Sequence, residues 1–510
     1  MADWTCGYVS EVDYVHGYVP ALSPLRLRLA MAFAGQKFAA GAEPAYLELG
    51  FGQGHSLNIH AATNAGSFWG TDFNAAQAAS AGELAAAAGA ATTILDASFA
   101  ELAGRADLPE FDVIVLHGIW SWISDENRAV VIDIARRKLK PGGLFYVSYN
   151  TAPGWSPAVP LRHIMKEHAT RASSGSLPNK LAAAITFAQS LADAGAGYFM
   201  TNPAVVQRLR KLKDQNPHYL AHEYLNDSWD VMAFSQVADR LAAAKLTFAT
   251  SGHLKDLVDA INLSPEGQIL LAGIDDAILR QTARDYFVNQ QFRRDIFVKG
   301  ARPLTPYEHA VAIRTQRFVL LVQPEDRPTS VKGALGDARL ADDIYQPITE
   351  ALAADGHRPK SIDEMMREGD CKGIGLPRFI QAMTILCGAG AAAPAQNEKA
   401  MGAVRKTAQA LNEELCRRAE HSSDVEYLAA PLIGAGIAVN RVEQLFLRAM
   451  RSNQKDVPDR VWSLLKGQGH KIVIDGKALD SDEDNLNDLR ARCARFQDKR
   501  LPIFKRLGIV

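Results

Sequence analysis

The sequence predicts an α/β fold in which a parallel sheet is covered by helices, followed by a mostly helical C-terminal region. Three observations support this prediction. Between about residues 44 and 150, strand-like and helix-like segments alternate, a pattern typical of a parallel sheet. The first strand runs into a glycine-rich stretch, LELGFGQG (47–54). From about residue 304 the pattern is mostly helical, with isolated strands at RFVLLV (317–322) and KIVIDG (471–476).

Five strands are predicted in the alternating region, and helix-like segments separate them. In order, the strands are AYLELG (45–50), SFWGTDF (67–73), ATTILDAS (91–98), FDVIVLHG (111–118) and LFYVSYN (144–150). The fourth is almost entirely apolar, as expected of a strand covered on both faces. The last helix-like segment, ENRAVVIDIARRKLKPGG (126–143), is expected to end at its proline and glycines. Right-handed crossovers place the carboxyl ends of these strands at one edge, where ligands bind.

The chain changes character after residue 150. Residues 160–213 read as helical, and TFATSG (247–252) and RRDIFVKG (293–300) read as strands. We expect these two strands to complete the sheet, with helical insertions between them. Arg293 and Arg294 form a basic pair that is expected to lie on a solvated face.

Composition excludes several classes of function. The chain has 510 residues, 47% of them hydrophobic and 22% charged, with a formal net charge of −1. This balance predicts no general attraction to nucleic acid or to anionic membranes. The N-terminal MADWTCGYVSEVD lacks the pattern of a signal peptide, and no apolar run is long enough to span a bilayer. The five scattered cysteines are expected to be reduced thiols of a cytoplasmic protein.

The glycine-rich loop and one later acid predict an adenosine-type ligand. Gly50, Gly52 and Gly54 give the spacing GxGxG, which differs from the GxGxxG of dinucleotide-binding loops. Asp72 ends the second strand 22 residues after Gly50, where its carboxylate can accept both ribose hydroxyls. The alternative is a turn aspartate or a helix N-cap.

These and two further stretches resemble a known family. Glu48 and the three glycines resemble motif I of class I S-adenosylmethionine-dependent methyltransferases. HGIWSWIS (117–124) and YVSYNTAPGW (146–155) resemble the bacterial methyltransferases with a methyltransferase regulatory domain, among them the rickettsial protein lysine methyltransferases. HEYL (222–225) is similar to the start of that regulatory segment. The chain departs from the family at Phe51, where Cys or Gly is common.

The resemblance implies a Rossmann-like class I methyltransferase sheet with helical insertions. It implies S-adenosylmethionine as the cofactor, S-adenosylhomocysteine as the product, and a protein lysine as the acceptor. Two alternatives stay open, a methyltransferase that acts on a small metabolite and a non-catalytic module that binds the cofactor. A protein substrate is expected, nucleic acid is not, and the oligomeric state is open, with a homodimer among the candidates.

The resemblance also assigns cofactor contacts. Tyr14 and Tyr18 belong to an aromatic stretch, GYVSEVDYVHGYVP (7–20), that is expected to fold over the cofactor or to dock on the sheet edge. Residues 96–98 end the third strand, where this family binds adenine, although a helix cap is the alternative. The expected cofactor residues are Tyr14, Tyr18, Glu48, Gly50, Phe51, Gly52, Gly54, Asp72, Phe73, Asp96, Ala97, Ser98 and His117.

Residues that follow strands four and five are expected to serve the methyl acceptor. His117 would contact the cofactor or act as a base. The walls of an acceptor pocket are expected from Trp120, together with Trp122. Tyr149 and Asn150 end the fifth strand beside the expected methyl position. The alternatives are loop stabilisation for His117, core packing for Trp120 and turn stabilisation for the last two residues.

A metal site is not expected. His218, His222 and Glu223 share a segment, but their spacing is not HExxH and no third ligand is evident. We expect an N-terminal cofactor-covering segment (1–40), a methyltransferase core (41–160), a helical insertion and regulatory segment (161–300) and C-terminal domains (301–510). Within the last, RPKSIDEMM (358–366) and LPRFIQAMTILCGAGAAAPA (376–395) suggest a winged-helix-like module whose apolar helix contacts a protein partner.

Overall fold

A mixed sheet of seven strands forms the centre of the computed structural model, which describes residues 16–452, 456–474 and 476–510. The strands are β1 (Ala45–Leu49), β2 (Ser67–Asp72), β3 (Thr92–Asp96), β4 (Phe111–Leu116), β5 (Leu139–Asn150), β6 (Leu246–Ser251) and β7 (Phe292–Lys299). Their order is β3-β2-β1-β4-β5-β7-β6. Strands β1 to β5 are parallel, and β7 is antiparallel to β5 and β6. The expectation that two later strands complete the sheet is confirmed.

Helices connect the parallel strands. These are α2 (His55–Thr63), α3 (Ala75–Ala88), α4 (Phe99–Gly104) and α5 (Asp125–Lys138), and α1 (Pro24–Phe33) precedes β1. Helix α5 begins behind Ser124, whose hydroxyl accepts a hydrogen bond from the amide of Asn127. It ends at Lys138 and not at the proline and glycines that follow. A residue before proline is pushed towards extended backbone, so the chain enters β5 before Pro141 and the expected helix end is corrected.

Helical insertions surround the two added strands. Between β5 and β6 lie α6 (Val159–Arg171), α7 (Leu177–Asp193), α8 (Gly197–Thr201), α9 (Pro203–Leu212), α10 (Pro217–Leu225) and α11 (Phe234–Ala242). Between β6 and β7 lie α12 (Asp259–Asn262), α13 (Pro265–Ala272) and α14 (Ala277–Val288). Helices α6 to α10 share a small hydrophobic core of their own, which includes Leu161, Leu181 and Leu209. This core holds α10 beside the end of β5.

The C-terminal region is mostly helical, as predicted. Its helices are α15 (Pro306–Thr315), α16 (Asp342–His357), α17 (Ile362–Met365), α18 (Leu376–Gly388), α19 (Glu398–Arg418), α20 (Arg441–Arg451), α21 (Val457–Gly467), α22 (Asp482–Arg495) and α23 (Leu501–Leu507). Its short strands are β8 (Arg317–Leu320), β9 (Ser330–Gly333), β10 (Gly336–Arg339), β11 (Lys360–Ser361), β12 (Ala392–Pro394), β13 (Tyr427–Ala430), β14 (Ala435–Ala438), β15 (Val473–Ile474) and β16 (Lys477–Ala478).

Helix α18 is the apolar helix of the suggested winged-helix-like module. It lies between α17 and β12, and β12 pairs with β8 in a three-stranded sheet. Its apolar side chains, among them Phe379, Met383 and Leu386, are buried in the same cluster as Leu254. The chain itself therefore covers the face that we expected to contact a protein partner.

Helix α19 packs against α2 and α3 of the sheet region. The hydroxyl of Thr407 donates to the carbonyl of Ala62 at 2.8 Å, and Asn64 Nδ2 donates to the carbonyl of Gly434 at 2.9 Å. All nine residues of α2 are buried. The division of the chain near residue 301 stays a prediction, but the C-terminal region encloses the helix that follows the glycine-rich loop.

Two further observations concern the described residues only. None of their helices combines the length and the apolarity that crossing a bilayer requires. The four cysteines in this part of the chain, Cys371, Cys387, Cys416 and Cys493, are buried and form no disulfide.

Candidate active site

A cavity of about 280 Å³ lies at the carboxyl edge of the parallel strands. Loops after β1, β2, β3 and β4 form most of its wall, and Gly17, Val19 and Leu22 close one side. The expected cofactor residues in the wall are Glu48, Gly50, Phe51, Gly52, Asp72, Phe73, Ala97, Ser98 and His117. Most of the expected contacts therefore meet at one place in the fold.

The glycine-rich loop turns tightly between β1 and α2. Gly50 and Gly52 have φ values of 71° and 57°, in the left-handed region that favours glycine. A Cβ atom on Gly50 would lie 2.8 Å from Cδ1 of Ile119. The amide of Gly50 donates to the carbonyl of Thr71 at 2.8 Å. The loop is thus fixed to the end of β2, with its backbone exposed to the cavity.

Asp72 connects this loop to the next one. Its Oδ2 atom accepts a hydrogen bond from the amide of Gly52 at 2.8 Å, and its Oδ1 atom accepts one from the amide of Asn74 at 3.0 Å. Asn74, and not Asp72, is the N-cap of α3. Burial raises the pKa of Asp72 to about 6. The carboxyl is therefore held in the wall by two backbone donors, ready to accept further hydrogen bonds.

Glu48 is a second buried acid in the same wall. Its side chain is 5% exposed, and its Oε2 atom has no hydrogen-bond partner among the described residues. Burial, together with the charge of Asp72, raises the pKa of Glu48 to about 8. A buried acceptor without a donor is unfavourable, so a cationic or N–H-bearing ligand group would satisfy it.

The three residues at the end of β3 that were expected to contact adenine, Asp96, Ala97 and Ser98, differ in their positions. Ala97 and Ser98 line the cavity, whereas Asp96 is exposed and lies outside its wall. Ser98 also caps α4, because its hydroxyl accepts the amide of Glu101 in a capping box. The cap alternative therefore holds for Ser98, and the contact of Asp96 with adenine stays a prediction.

Gly54 packs two helices together instead of lining the cavity. It precedes α2 with a φ of 72°, and a Cβ atom there would lie 2.4 Å from the Cβ atom of Ala81 in α3. Only glycine permits this approach of α2 to α3. The expected cofactor contact of Gly54 is corrected to a packing role.

Tyr18 points away from the cavity. Its hydroxyl lies 3.1 Å from Nε2 of His60 and accepts the amide of Gly436 at 2.7 Å. Its ring packs against Tyr427. Tyr18 therefore anchors the C-terminal β13–β14 hairpin to α2, which corrects the expected cofactor contact. Tyr14 lies outside the described residues.

His117 lies in the wall between this cavity and a second one. Its Nδ1 atom is 3.0 Å from the hydroxyl of Tyr146 and 3.2 Å from Oγ of Ser148. Burial, with a smaller contribution from Arg294, lowers its pKa to about 3. The imidazole is therefore neutral at physiological pH.

The second cavity has a volume of about 700 Å³ and shares His117, Gly118 and Trp122 with the first. The end of β5, helices α9 and α10, and β7 form its remaining walls. Aromatic, amide and charged side chains line it, including Asn150, Trp155, Tyr219, Tyr224, Arg208 and Arg294. Two cavities that meet at one wall can hold a donor and an acceptor side by side.

The two tryptophans of HGIWSWIS take different positions. Trp122 lines both cavities, whereas Trp120 is fully buried in the hydrophobic core beneath the sheet. The core alternative for Trp120 is thus correct, and its expected place in the wall of an acceptor pocket, where it would serve catalysis, is corrected.

Strand alternation separates Tyr149 from Asn150. Asn150 lines the second cavity, while Tyr149 is fully buried on the other face and its hydroxyl donates to Oδ2 of Asp295 at 2.7 Å. The expected acceptor-side role of Tyr149 is therefore corrected. On that same face Arg293 is buried in ion pairs with Asp285 and Asp295, and not solvated as we expected.

Glu223 is a residue in the second cavity that sequence reasoning weighed only as a metal ligand. It is 6% exposed and accepts a hydrogen bond from Nδ2 of Asn150 at 3.2 Å. Burial raises its pKa to about 7.

In the described part of the chain, no cluster of three or more His, Cys, Asp or Glu side chains suits a metal ion. The sequence signal that could have pointed to Glu223 was its position in HEYL, at the start of the regulatory segment.

Comparisons with known proteins match the two halves of this site. Residues 47–143 match the family model of a methyltransferase domain, and residues 216–299 match that of a "predicted methyltransferase regulatory domain". An uncharacterised protein of Synechocystis is 40% identical over 510 residues, which span 99% of each chain. An uncharacterised protein of Rickettsia prowazekii is 25% identical over 186 residues, 36% of this chain and 33% of that protein.

A solved structure shares the whole fold. PKMT2 from Rickettsia typhi, in complex with AdoHcy, superposes with a TM-score of 0.67 at 16% identity, over 97% of this chain and 99% of that chain. A second structure of PKMT2 from Rickettsia typhi gives a TM-score of 0.68 at 16% identity, over 95% of this chain and 99% of that chain. At this identity the likeness concerns the fold alone. With the two family models and the full-length relative, the chain belongs to the class I S-adenosylmethionine-dependent methyltransferases with a methyltransferase regulatory domain, and its cofactor is S-adenosylmethionine.

Proposed function

We propose that the chain transfers the methyl group of S-adenosylmethionine to lysine side chains of proteins. The main support for this proposal is the second cavity, which meets the cofactor cavity at His117, Gly118 and Trp122. Its volume of about 700 Å³ exceeds that of the cofactor cavity, and exposed residues of α9 and α10 form its rim. Such a cavity suits a side chain presented by a larger molecule. The shared fold with PKMT2 supports the same interpretation.

The cofactor cavity offers a matching group for each part of the cofactor. We assign the ribose hydroxyls to Asp72, because its carboxylate lies in the cavity wall and is held there by the amides of Gly52 and Asn74. Glu48 offers its unpartnered Oε2 atom to the ammonium of the amino-acid part. Ala97 and Ser98 line the side where adenine is expected. When bound, the cofactor supplies an electrophilic methyl group.

His117 suits the wall between donor and acceptor because it carries no charge. The low pKa of its imidazole keeps a second positive charge away from a cationic sulfur. Its Nδ1 atom is engaged by Tyr146 and Ser148, which fixes the orientation of the ring. The residue thus forms a rigid, neutral partition that aligns the two reactants.

The proposal is tested in two stages. Calorimetric titration with S-adenosylhomocysteine, beside NAD as a control, should show binding of the former alone. Labelled methyl donor is then added with a bacterial protein extract, and acid hydrolysis should release the label as methyl-lysine. The variant Asp72→Asn is the control for enzyme-dependent label. Label found only in small molecules would instead support the metabolite alternative, and binding of S-adenosylhomocysteine without any transfer of label would support the non-catalytic one.

A further inference from the structure

We infer that Glu223 binds the ammonium group of the methyl acceptor and takes its proton before methyl transfer. This inference rests on the proposed function, because it specifies how the second cavity recognises an amine. Glu223 lies on α10, is almost fully buried, and lines the cavity that adjoins the cofactor site at His117 and Trp122.

The position of the Glu223 side chain is well defined. Asn150 Nδ2 donates to its Oε1 atom at 3.2 Å, and the backbone amide of Asn150 donates to Oγ of Ser121 at 2.9 Å. The last residue of β5 is thereby fixed, and it fixes the carboxylate in turn. The α6–α10 core holds the helix behind it. A preorganised carboxylate therefore faces the acceptor cavity.

Neighbouring cations leave this carboxylate available. The charges of Arg162 and Arg208 lower the pKa of Glu223, but burial raises it by more. The buried guanidinium of Arg162 donates to the backbone oxygens of Glu223 and Asn226. Arg208 stacks on Trp155, with 3.9 Å between its guanidinium carbon and the ring centroid, and donates to Gln291. A buried carboxylate without a paired cation is costly, so the cation of an acceptor amine would complete the site.

The chemistry of amine methylation requires such a group. The lysine ammonium transfers one proton to the Glu223 carboxylate, which leaves a nitrogen lone pair and a neutral carboxylic acid. The amine nitrogen then forms its bond to the donated methyl carbon while that carbon's bond to sulfur breaks, and the electron pair stays on sulfur. Glu223 returns its proton to water at the open mouth of the cavity. Burial, which favours the protonated acid, suits it to this exchange.

A pair of binding probes tests the inference without knowledge of the natural acceptor. Both are S-adenosylhomocysteine analogues in which nitrogen replaces sulfur and carries a flexible arm. Each probe is made as a series with arms of increasing length. One arm ends in an amine and its partner ends in a hydroxyl. Calorimetry should show that the wild-type protein prefers the best-fitting amine arm by at least about tenfold, the scale of one charged hydrogen bond. The variant Glu223→Gln should lose this preference and keep its affinity for S-adenosylhomocysteine.

Each outcome has one meaning. A preference that survives in Glu223→Gln overturns the inference and leaves the amine acceptor of the proposed function standing. Equal binding of both arms to the wild-type protein, with intact S-adenosylhomocysteine binding, overturns the amine acceptor itself and the inference with it. The matched control is Asp227→Asn, which removes an exposed carboxylate that lies just beyond the end of α10 and pairs with Lys166 outside the cavity. This control should keep the full preference, and its loss there would also contradict the role of Glu223.

Discussion

Replacing Glu48 by glutamine should stabilise the free protein and weaken its hold on the cofactor. Glu48 is buried, and its pKa rises from the ordinary value of 4.5 to about 8. The folded state therefore holds a proton that the unfolded chain releases above about pH 4.5. Stability that is present below that pH is lost as the pH rises to about 8, because the folded state binds more protons across this window.

The magnitude follows from the same two values. At pH 7 the solution lies about 2.5 units above the ordinary pKa, which corresponds to about 3 kcal/mol of lost stability as an upper bound. Glutamine has the same shape and no titratable proton, so this loss disappears in Glu48→Gln. Because the amide also loses the attraction to a ligand ammonium, affinity for S-adenosylhomocysteine should fall by about tenfold or more.

Thermal unfolding of both proteins at pH 5 and pH 8, with and without S-adenosylhomocysteine, measures this effect. Without ligand, the melting midpoint of Glu48→Gln minus that of the wild type should be larger at pH 8 than at pH 5. With saturating ligand, the advantage should shrink, since the ligand stabilises the wild type more strongly. A difference between the proteins that does not change with pH would refute the reasoning about the buried proton. Equal affinities would separately refute the ammonium contact.

Three further substitutions test other positions. Asp72→Asn should reduce affinity for S-adenosylhomocysteine at least about tenfold in calorimetry; unchanged affinity would remove the ribose assignment. Tyr18→Phe leaves the amide of Gly436 without its acceptor and should cost about 1–2 kcal/mol in thermal unfolding, and weaker cofactor binding at full stability would return Tyr18 to the cofactor site. Gly54→Ala forces a Cβ atom against Ala81 at positive φ and should cost roughly 1–3 kcal/mol, so a wild-type melting curve would contradict the packing role.

The cofactor cavity was largely predictable because short local stretches build it. A glycine-rich loop after an apolar strand and an acid at the end of the next strand are brought together by any parallel sheet of this order. The alternating segments also predict that β1 to β5 are parallel. For this reason Gly50, Gly52 and Asp72 lie in the wall where the sequence places them.

The acceptor side was harder because it depends on orientation and on distant segments. Tyr149 and Asn150 are adjacent in one strand, and their pattern does not reveal which of the two faces the cavity. Trp120 and Trp122 differ only by their places in a short turn. Glu223 reaches Asn150 from 73 residues further along the chain, and no local pattern reveals such a meeting. The same limit applies to the apolar face of α18, which a distant part of the chain covers.

The enclosure of α2 by the C-terminal region has a consequence for how the protein is made. The carbonyl of Gly434, which receives the side chain of Asn64, is synthesised 370 residues later. At ribosomal speeds of about 5–20 residues per second, roughly 20 to 70 seconds pass before that partner emerges. During this interval the outer face of α2 is uncovered, and the sheet itself is complete in sequence only after β7 has been made. The nascent chain should therefore be a client of chaperones, and the glycine-rich loop should become rigid only when translation is nearly finished.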